Sequence, residues 1–341
     1  MHCAVLFAKS LRCGLPPAMA GDHTSSLWQL DDAKPEHVPQ IRELFKSVFK
    51  QEMSHALWAW KYDNGRGAGV IVRHGDEIIA YFGGTERRVL FKGEAVYSIQ
   101  CGDSMVAPEH RGTLSKRGPF YLSVTGFLGK YTGFNRPYLL SHGFPNARAM
   151  RLAERLGMYE KVGTLLNISW SAQHSAVFSS ELFDFESSDH VSALDELWSN
   201  MASEFRDRTI GIRDLEYLRH RYHDHPDLSY QLHLVYSNGQ TKPLGLVVTR
   251  KIKDRLLLLD MVSAKSEFRT LANFGRHLAS ELGCRELYGW LTEIDIKLVS
   301  DSALVIEEPP LKLPLGVYSD GLKAEDIRDT WFFMCGDSDF L

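Results

Sequence analysis

The fold is decided by the stretch SIQCGDSMVAPEHRGTLSKRGPFYLSVTGFLGKY, which spans Ser98–Tyr131. The segment Ser98–Val106 is half apolar and is closed by Pro108, through which a central strand could not continue, so we predict a strand there. From Phe120 the apolar residues recur at the spacing of one helix face, and Pro119 suits a first helical position. The stretch therefore predicts a strand, a loop and a helix.

The loop between this strand and this helix is HRGTLSKRG, which ends at Gly118. It places Arg111, Lys116 and Arg117 within seven residues and carries a second glycine, Gly112. A loop that leads into a helix directs unpaired N–H groups and the positive end of the helix dipole toward one point. We predict a phosphate or pyrophosphate site, and a solvated basic turn is the alternative.

Composition limits the class of protein. A chain of 341 residues predicts about two domains, because domains usually run roughly 100–200 residues. A net charge of -4 gives no overall reason to expect nucleic acid or an anionic membrane as a partner. The five cysteines are scattered and lack CxxC spacing, which indicates neither a disulfide framework nor a zinc site. We therefore expect a reducing, cytoplasmic setting.

The rest of the first half predicts helices and strands in a regular order. VIVRHGDEIIAYFGG and RRVLFKGEAVYSI predict antiparallel strands with turns at Gly75 and Gly93, a meander that leads into the central strand. Beyond the central helix, a short strand ends at His142, and Asn146 caps a helix that ends at Gly157. Residues 162–170 predict one more strand of this domain.

VAPEHRG after the central strand and PNARAMRLAERLGM after the next one resemble the GNAT superfamily of acyl-CoA N-acyltransferases. The resemblance covers residues 28–170, and VxPxxRG is its most specific part. It implies an α/β fold with a mixed (α+β) sheet, in which the central strand splays from its neighbour. It also implies that acetyl-CoA or another acyl-CoA binds there, with Met105 and Val106 on pantetheine. The other residues implied in cofactor binding are Arg111, Gly112, Thr113, Lys116, Arg117, Gly118 and Asn146.

Two positions depart from the family pattern. The family loop usually runs Arg/Gln-x-x-Gly-x-Gly/Ala, but Leu114 stands here at its fourth position. Many members carry a tyrosine on the later helix as general acid for the departing thiolate, and Ala153 stands at that position here. The exact contacts of the loop and the source of the acid are therefore open.

Acyl transfer to an amine needs a base for the ammonium, a donor for the oxyanion and a proton for the thiolate. Asp103, three residues before Val106, is our first candidate for a base or an amine-orienting group. His142 is the second, because the usual pKa of histidine suits proton transfer, and Tyr159 is the candidate proton donor. Cys101 permits a covalent acyl-enzyme, but the sequence places no partner beside it, and a small buried thiol is the simpler interpretation.

The second half echoes the first. Arg221-Tyr222 recurs where Lys61-Tyr62 stands, each after a helix and before strands, but no Arg-Gly loop follows the strand LLLLDMV. We predict tandem GNAT-like domains: an acyl-CoA-binding domain at 28–170 and a degenerate half without a pyrophosphate loop at 171–341. Residues 1–27 would form a loosely ordered extension. An unrelated α+β domain in the second half is the alternative.

A metal site is not expected. His220, His223 and His225 fall within six residues, but Pro226 breaks the helix and no Cys or spaced carboxylate completes a ligand set.

The functional hypothesis is transfer of an acetyl group from acetyl-CoA to a primary amine of a small molecule, by direct attack in a ternary complex. A non-catalytic acyl-CoA-binding or regulatory protein is the alternative, favoured by the altered loop and the missing tyrosine. Nucleotide binding by the same loop is a weaker third hypothesis, because GxxxxGK[ST] is absent. We expect no nucleic acid and no membrane as partners, and we leave a homodimer open.

Overall fold

The computed structural model describes residues 28–111 and 116–341, and their strands form two mixed sheets of seven strands each. The predicted N-terminal extension, Gly112, Thr113 and Leu114 lie outside the described residues. Within those residues, each helix is too short or too polar to cross a membrane.

The first sheet has the strand order β1-β2-β3-β4-β5. Strands β2, β3 and β4 are antiparallel to their neighbours. Strands β4 and β5 are parallel, and helix α3 connects them in the chain. The predicted meander, the predicted central strand and the predicted helix that follows it are therefore present. In chain order the elements are β1 (Gln29–Asp32), α1 (Val38–Phe49), α2 (His55–Tyr62), β2 (Gly67–His74), β3 (Glu77–Phe91), β4 (Glu94–Val106), α3 (Pro119–Tyr131), β5 (Leu140–Gly143) and α4 (Ala147–Arg155).

The second sheet has the order β13-β6-β12-β11-β10-β9-β7. Its core is built mainly from the apolar strands β10 and β11 and the buried face of helix α7. The elements are β6 (Tyr159–Ser171), β7 (Phe178–Leu182), α5 (Ser188–Glu204), β8 (Thr209–Gly211), α6 (Leu215–Leu218), β9 (Gln231–Ser237), β10 (Gly245–Ile252), β11 (Arg255–Val262), α7 (Phe268–Glu281), β12 (Glu286–Thr292), β13 (Val305–Gly316), α8 (Ala324–Ile327) and β14 (Trp331–Phe332).

The two sheets repeat one topology. The order β7-α5-α6-β9-β10-β11-α7-β12 has the same strand directions as β1-α1-α2-β2-β3-β4-α3-β5, including one parallel pair around a crossover helix. Both central pairs, β3 with β4 and β10 with β11, also contain a register shift. This repeat is what an internal duplication would leave, and duplication stays our hypothesis for its origin.

Each sheet also contains a strand from the other half of the chain. We expected the strand at 162–170 to complete the first domain, but β6 pairs with β12 and β13 of the second sheet. In return β8 pairs with β3 of the first sheet and with β14, although both β8 and β14 come from the second half of the chain. A domain boundary at residue 170 thus separates β6 from β12 and β13, the strands with which it forms a sheet.

The C-terminal segment, residues 333–341, lies between the two sheets and is held by buried cations. Arg213 is fully buried and pairs with Asp260 and with Asp337, each at 2.7 Å. Arg221 donates to the main-chain oxygens of Gly336 and Ser338 in the same segment. These contacts fix the segment before it reaches the first sheet.

Replacing Arg213 tests this anchoring. Arg213→Met should lower the free energy of unfolding by about 3–5 kcal/mol, because it leaves two buried carboxylates without a counterion. The measurement is urea denaturation followed by circular dichroism. Arg206→Met is the matched control, since Arg206 forms only an exposed pair with Asp207 and should change stability little. Equal stability of the two variants would contradict the anchoring role.

Candidate active site

A β-bulge in β4 shapes the site. Tyr81 of β3 pairs with Met105 of β4, and Gly83 pairs with Gly102. Two residues of β4, Asp103 and Ser104, therefore lie opposite the single residue Phe82 of β3. Asp103 has a φ of 49°, a left-handed conformation that is uncommon for a residue other than glycine. The sequence predicted a regular strand here and not a bulge. The neighbouring Gly102 is the one local feature that is typical of a bulge.

Beyond the bulge, β4 and β5 separate. β5 pairs with β4 only along Ser98–Cys101, so residues 102–106 have no strand partner on that side among the described residues. The N–H of Ala107 donates to the Ile79 oxygen on the β3 side. Since backbone groups alternate along a strand, the N–H and C=O of Val106 face the gap. The gap therefore presents the N–H of Val106 to an extended ligand, together with an oxygen that Arg111 Nε contacts at 2.9 Å.

A cleft of about 800 Å³ occupies this gap. One wall is formed by the end of β4 and the start of α3, and the other by the end of β5, by α4 and by the start of β6. The residues of the first wall include Val106, His110, Arg111 and Phe120, and those of the second include Phe144, Asn146, Arg148, Leu152 and Tyr159. Lys61, Asp103 and Asp339 lie where the walls meet the C-terminal segment.

Lys61, Asp103 and Asp339 form a polar cluster with Lys61 at its centre. Its Nζ lies 2.6 Å from Asp103 Oδ2 and 3.2 Å from Asp339 Oδ2, and its side chain is almost fully buried. The Tyr62 hydroxyl donates to the same Asp103 oxygen at 2.5 Å. Burial alone would lower the pKa of Lys61, but the two carboxylates outweigh it and raise this pKa above its usual value. The ammonium therefore stays charged.

Asp339 comes from the far end of the chain. Gln100 Nε2 donates to its Oδ1 at 2.7 Å, and Gln100 Oε1 in turn accepts from Arg87 Nε at 3.1 Å. Burial would raise the pKa of Asp339, but Lys61 and Arg87 outweigh it and lower the pKa to about 2. Sequence analysis missed both Asp339 and Lys61 as site residues, because only the packing of the two halves brings them together.

Tyr159 and Cys101 lie beside each other in the cleft. Burial raises the pKa of the Tyr159 hydroxyl well above its usual value, and it raises the pKa of the Cys101 thiol to about 12. At neutral pH the phenol therefore keeps a proton that it can donate. The thiol is protonated as well and is a poor nucleophile.

His142 does not line the cleft. Its Nδ1 lies 2.9 Å from Ser98 Oγ, and its ring packs against Trp331 and Phe333 in a separate cavity of about 260 Å³ between the halves. Burial, with a contribution from Arg87, lowers the pKa of His142 to about 3. This position argues against the direct proton transfer that we expected of His142.

The residues expected on pantetheine differ in placement. Val106 lines the cleft, whereas the Met105 side chain is buried in the core between the sheet and α1. Strand alternation also turns the backbone groups of Met105 toward β3. Val106 is thus the one of the two that faces the gap.

The residues expected on phosphate lie at the mouth and on the loop. Arg111 lines the cleft, and its Nε donates to the Val106 oxygen at 2.9 Å. Lys116 and Arg117 are exposed before α3, and Gly118 is the N-cap of that helix. Asn146 caps α4 as predicted, since its Oδ1 accepts from two backbone N–H groups, while its side chain also lines the cleft.

The three histidines near Pro226 pack against aromatic rings. His220 and His225 pack on Trp60, and His223 packs on Phe185. Another group brings ligand atoms of His174, His277 and Glu281 within 4.8 Å. The Ser175 N–H donates to Nδ1 of His277 at 3.3 Å, and His277 Nε2 lies 3.7 Å from Glu281 Oε1. One ring nitrogen of His277 is therefore already used by a backbone donor.

Comparisons with known proteins agree with this geometry. Residues 29–118 match the family model of the acetyltransferase (GNAT) domain. A comparison with curated proteins finds no match.

Three solved structures share the fold. The chain is similar to a conserved protein of unknown function from Enterococcus faecalis V583, described as a probable N-acyltransferase, with a TM-score of 0.64, 14% identity, and 84% of this chain and 71% of that one covered. It is similar to a GCN5-related N-acetyltransferase from Anabaena variabilis, with a TM-score of 0.61, 12% identity, and 85% and 73% covered. For a GCN5-related N-acetyltransferase from Kribbella flavida the TM-score is 0.59, with 17% identity, and 86% and 72% covered. The chain therefore shares the fold of these structures, and its residues 29–118 match the model of the GNAT acetyltransferase domain.

Proposed function

We propose that the protein transfers an acetyl group from acetyl-CoA to a primary amine of a small molecule. The observation that carries this proposal is the gap between β4 and β5, where the backbone groups of Val106 face an 800 Å³ cleft that has Lys61, Asp103 and Asp339 at its inner end. Acyl transfer by this family is supported by the domain match and the fold. We further propose acetyl-CoA as the donor, a primary amine as the acceptor and a role for each residue of the cleft.

The acyl donor would lie along the gap. Pantetheine carries two amides, which can pair with the N–H and C=O of Val106 as a neighbouring strand would. Arg111 would then move from the Val106 oxygen to the pyrophosphate, beside the start of α3. The thioester would reach the polar cluster at the bulge.

The acceptor amine would approach from the side of α1 and the C-terminal segment. Phe45, Phe49 and Phe340 line the cleft there, which favours an apolar group next to the amine. Asp103 and Asp339 can orient an ammonium by charge. Because its pKa is about 2, Asp339 does not take up a proton at neutral pH, so we expect water to accept the proton that the amine loses.

The reaction would be direct attack in a ternary complex. The amine nitrogen bonds to the thioester carbon, the carbon–sulfur bond breaks, and the thiolate takes a proton from the Tyr159 hydroxyl. Tyr159 thus supplies the acid that the family usually places at the position of Ala153. Its proton would return from solvent after CoA leaves.

Binding is tested first by calorimetric titration with acetyl-CoA. Micromolar-range binding is expected, and Arg111→Ala should weaken it tenfold or more, about 1.4 kcal/mol, by removing a phosphate contact. Arg136→Ala is the control, because this arginine is exposed and does not line the cleft. A wild-type protein without measurable affinity would contradict the proposed donor site.

Catalysis is tested by Tyr159→Phe. We expect the rate of CoA release from acetyl-CoA, measured over a panel of primary amines, to fall at least tenfold, within the usual contribution of general acid catalysis. The Kd for acetyl-CoA should not change. Because burial raises the pKa of Tyr159, the wild-type rate should hold up to about pH 9. Tyr318→Phe, a change outside the cleft, is the control.

The alternative, a non-catalytic acyl-CoA-binding protein, predicts a different result. The wild type would bind acetyl-CoA but release no CoA with any amine of the panel. Unchanged turnover of Tyr159→Phe would leave the transferase in place and overturn only the role of the tyrosine.

A further inference from the structure

Helix α4 carries a row of three arginines. Arg148, Arg151 and Arg155 are spaced by three and four residues, which places them on one face of the helix. All three are exposed, and all three line the mouth of the cleft. They lie on the wall opposite Arg111 and the start of α3.

The row has no counterion in the part of the chain that the structure describes. Among the described residues, none of the three side chains has an ion-pair or hydrogen-bond partner. Glu154, the one carboxylate of α4, is turned away and pairs with Lys312 of β13. The cationic face of the helix is therefore left for a ligand or for solvent.

The charge of the cleft is separated along its length. Its described lining contains two carboxylates, Asp103 and Asp339, and both lie at the inner end and are engaged by Lys61. The charged side chains at the mouth, Arg111, Arg148, Arg151 and Arg155, are all cationic, in a chain whose net charge is -4. An anion that enters by the mouth thus meets several arginines and no carboxylate of the lining.

Coenzyme A offers two separate anionic groups, the pyrophosphate and the phosphate on the 3′ oxygen of its ribose. The wall with Arg111 and the start of α3 suits the pyrophosphate, because a helix N-terminus and an arginine side chain both favour an anion there. Arginine is suited to a terminal phosphate, which it can bind with two parallel hydrogen bonds. The two walls can therefore hold the two groups at once.

We propose that the arginine row of α4 binds the 3′-phosphate of CoA and makes the protein selective for CoA over 3′-dephospho-CoA. This rests on the proposed function, because it takes the cleft as the acyl-CoA site.

The test is calorimetric titration with CoA and with 3′-dephospho-CoA at one fixed salt concentration. We expect the wild type to bind CoA at least tenfold more tightly. The triple variant Arg148→Ala/Arg151→Ala/Arg155→Ala should bind CoA more weakly and 3′-dephospho-CoA as before, so that the two affinities become nearly equal. The substituted side chains are exposed, so the fold should tolerate the change.

The control removes three exposed arginines elsewhere, Arg136, Arg206 and Arg269, and should keep the wild-type preference. Equal affinity of the wild type for both ligands would overturn this inference and leave the proposed function standing. Equal weakening of both ligands in the triple variant would also overturn it, since the row would then hold the pyrophosphate. A wild type that binds neither ligand would overturn the inference and the proposed function together.

Discussion

The structure depends most on the buried ammonium of Lys61. It joins Asp103, at the bulge of the first sheet, to Asp339, in a segment held by the second half of the chain. Burying charges without partners costs several kcal/mol per ion, so the bulge, helix α2 and the C-terminal segment stabilise one another through this cluster. The same cluster lies at the inner end of the cleft, where chemistry on a bound thioester would occur.

The second half supports this cluster from the other side. Arg213 and Arg221 hold the C-terminal segment, as Lys61 does in the first half. The correspondence extends to the neighbouring tyrosines, because Tyr222 donates to Asp260 at 2.8 Å much as Tyr62 donates to Asp103. The repeated half thus contributes a wall of the cleft through its last residues, with no Arg-Gly loop of its own after β11.

Local patterns predicted the local structure. The strand and the helix of the central stretch and the cap at Asn146 depend on neighbours in sequence, and they are present. The pairing of β6, the burial of His142 and the presence of Asp339 in the cleft depend on contacts across the chain, which no local pattern carries. Asp103 lay between these cases, because its position was predicted but the bulge that presents it was not.

We propose that acyl-CoA lies between the edge of β4 and the C-terminal segment. This placement can be measured by hydrogen–deuterium exchange of the full chain, with and without saturating acetyl-CoA. We expect slower exchange in peptides that contain residues 102–106 and in those that contain residues 335–340, since the ligand would pair with the first and cover the second. Binding that leaves both segments unchanged would contradict it.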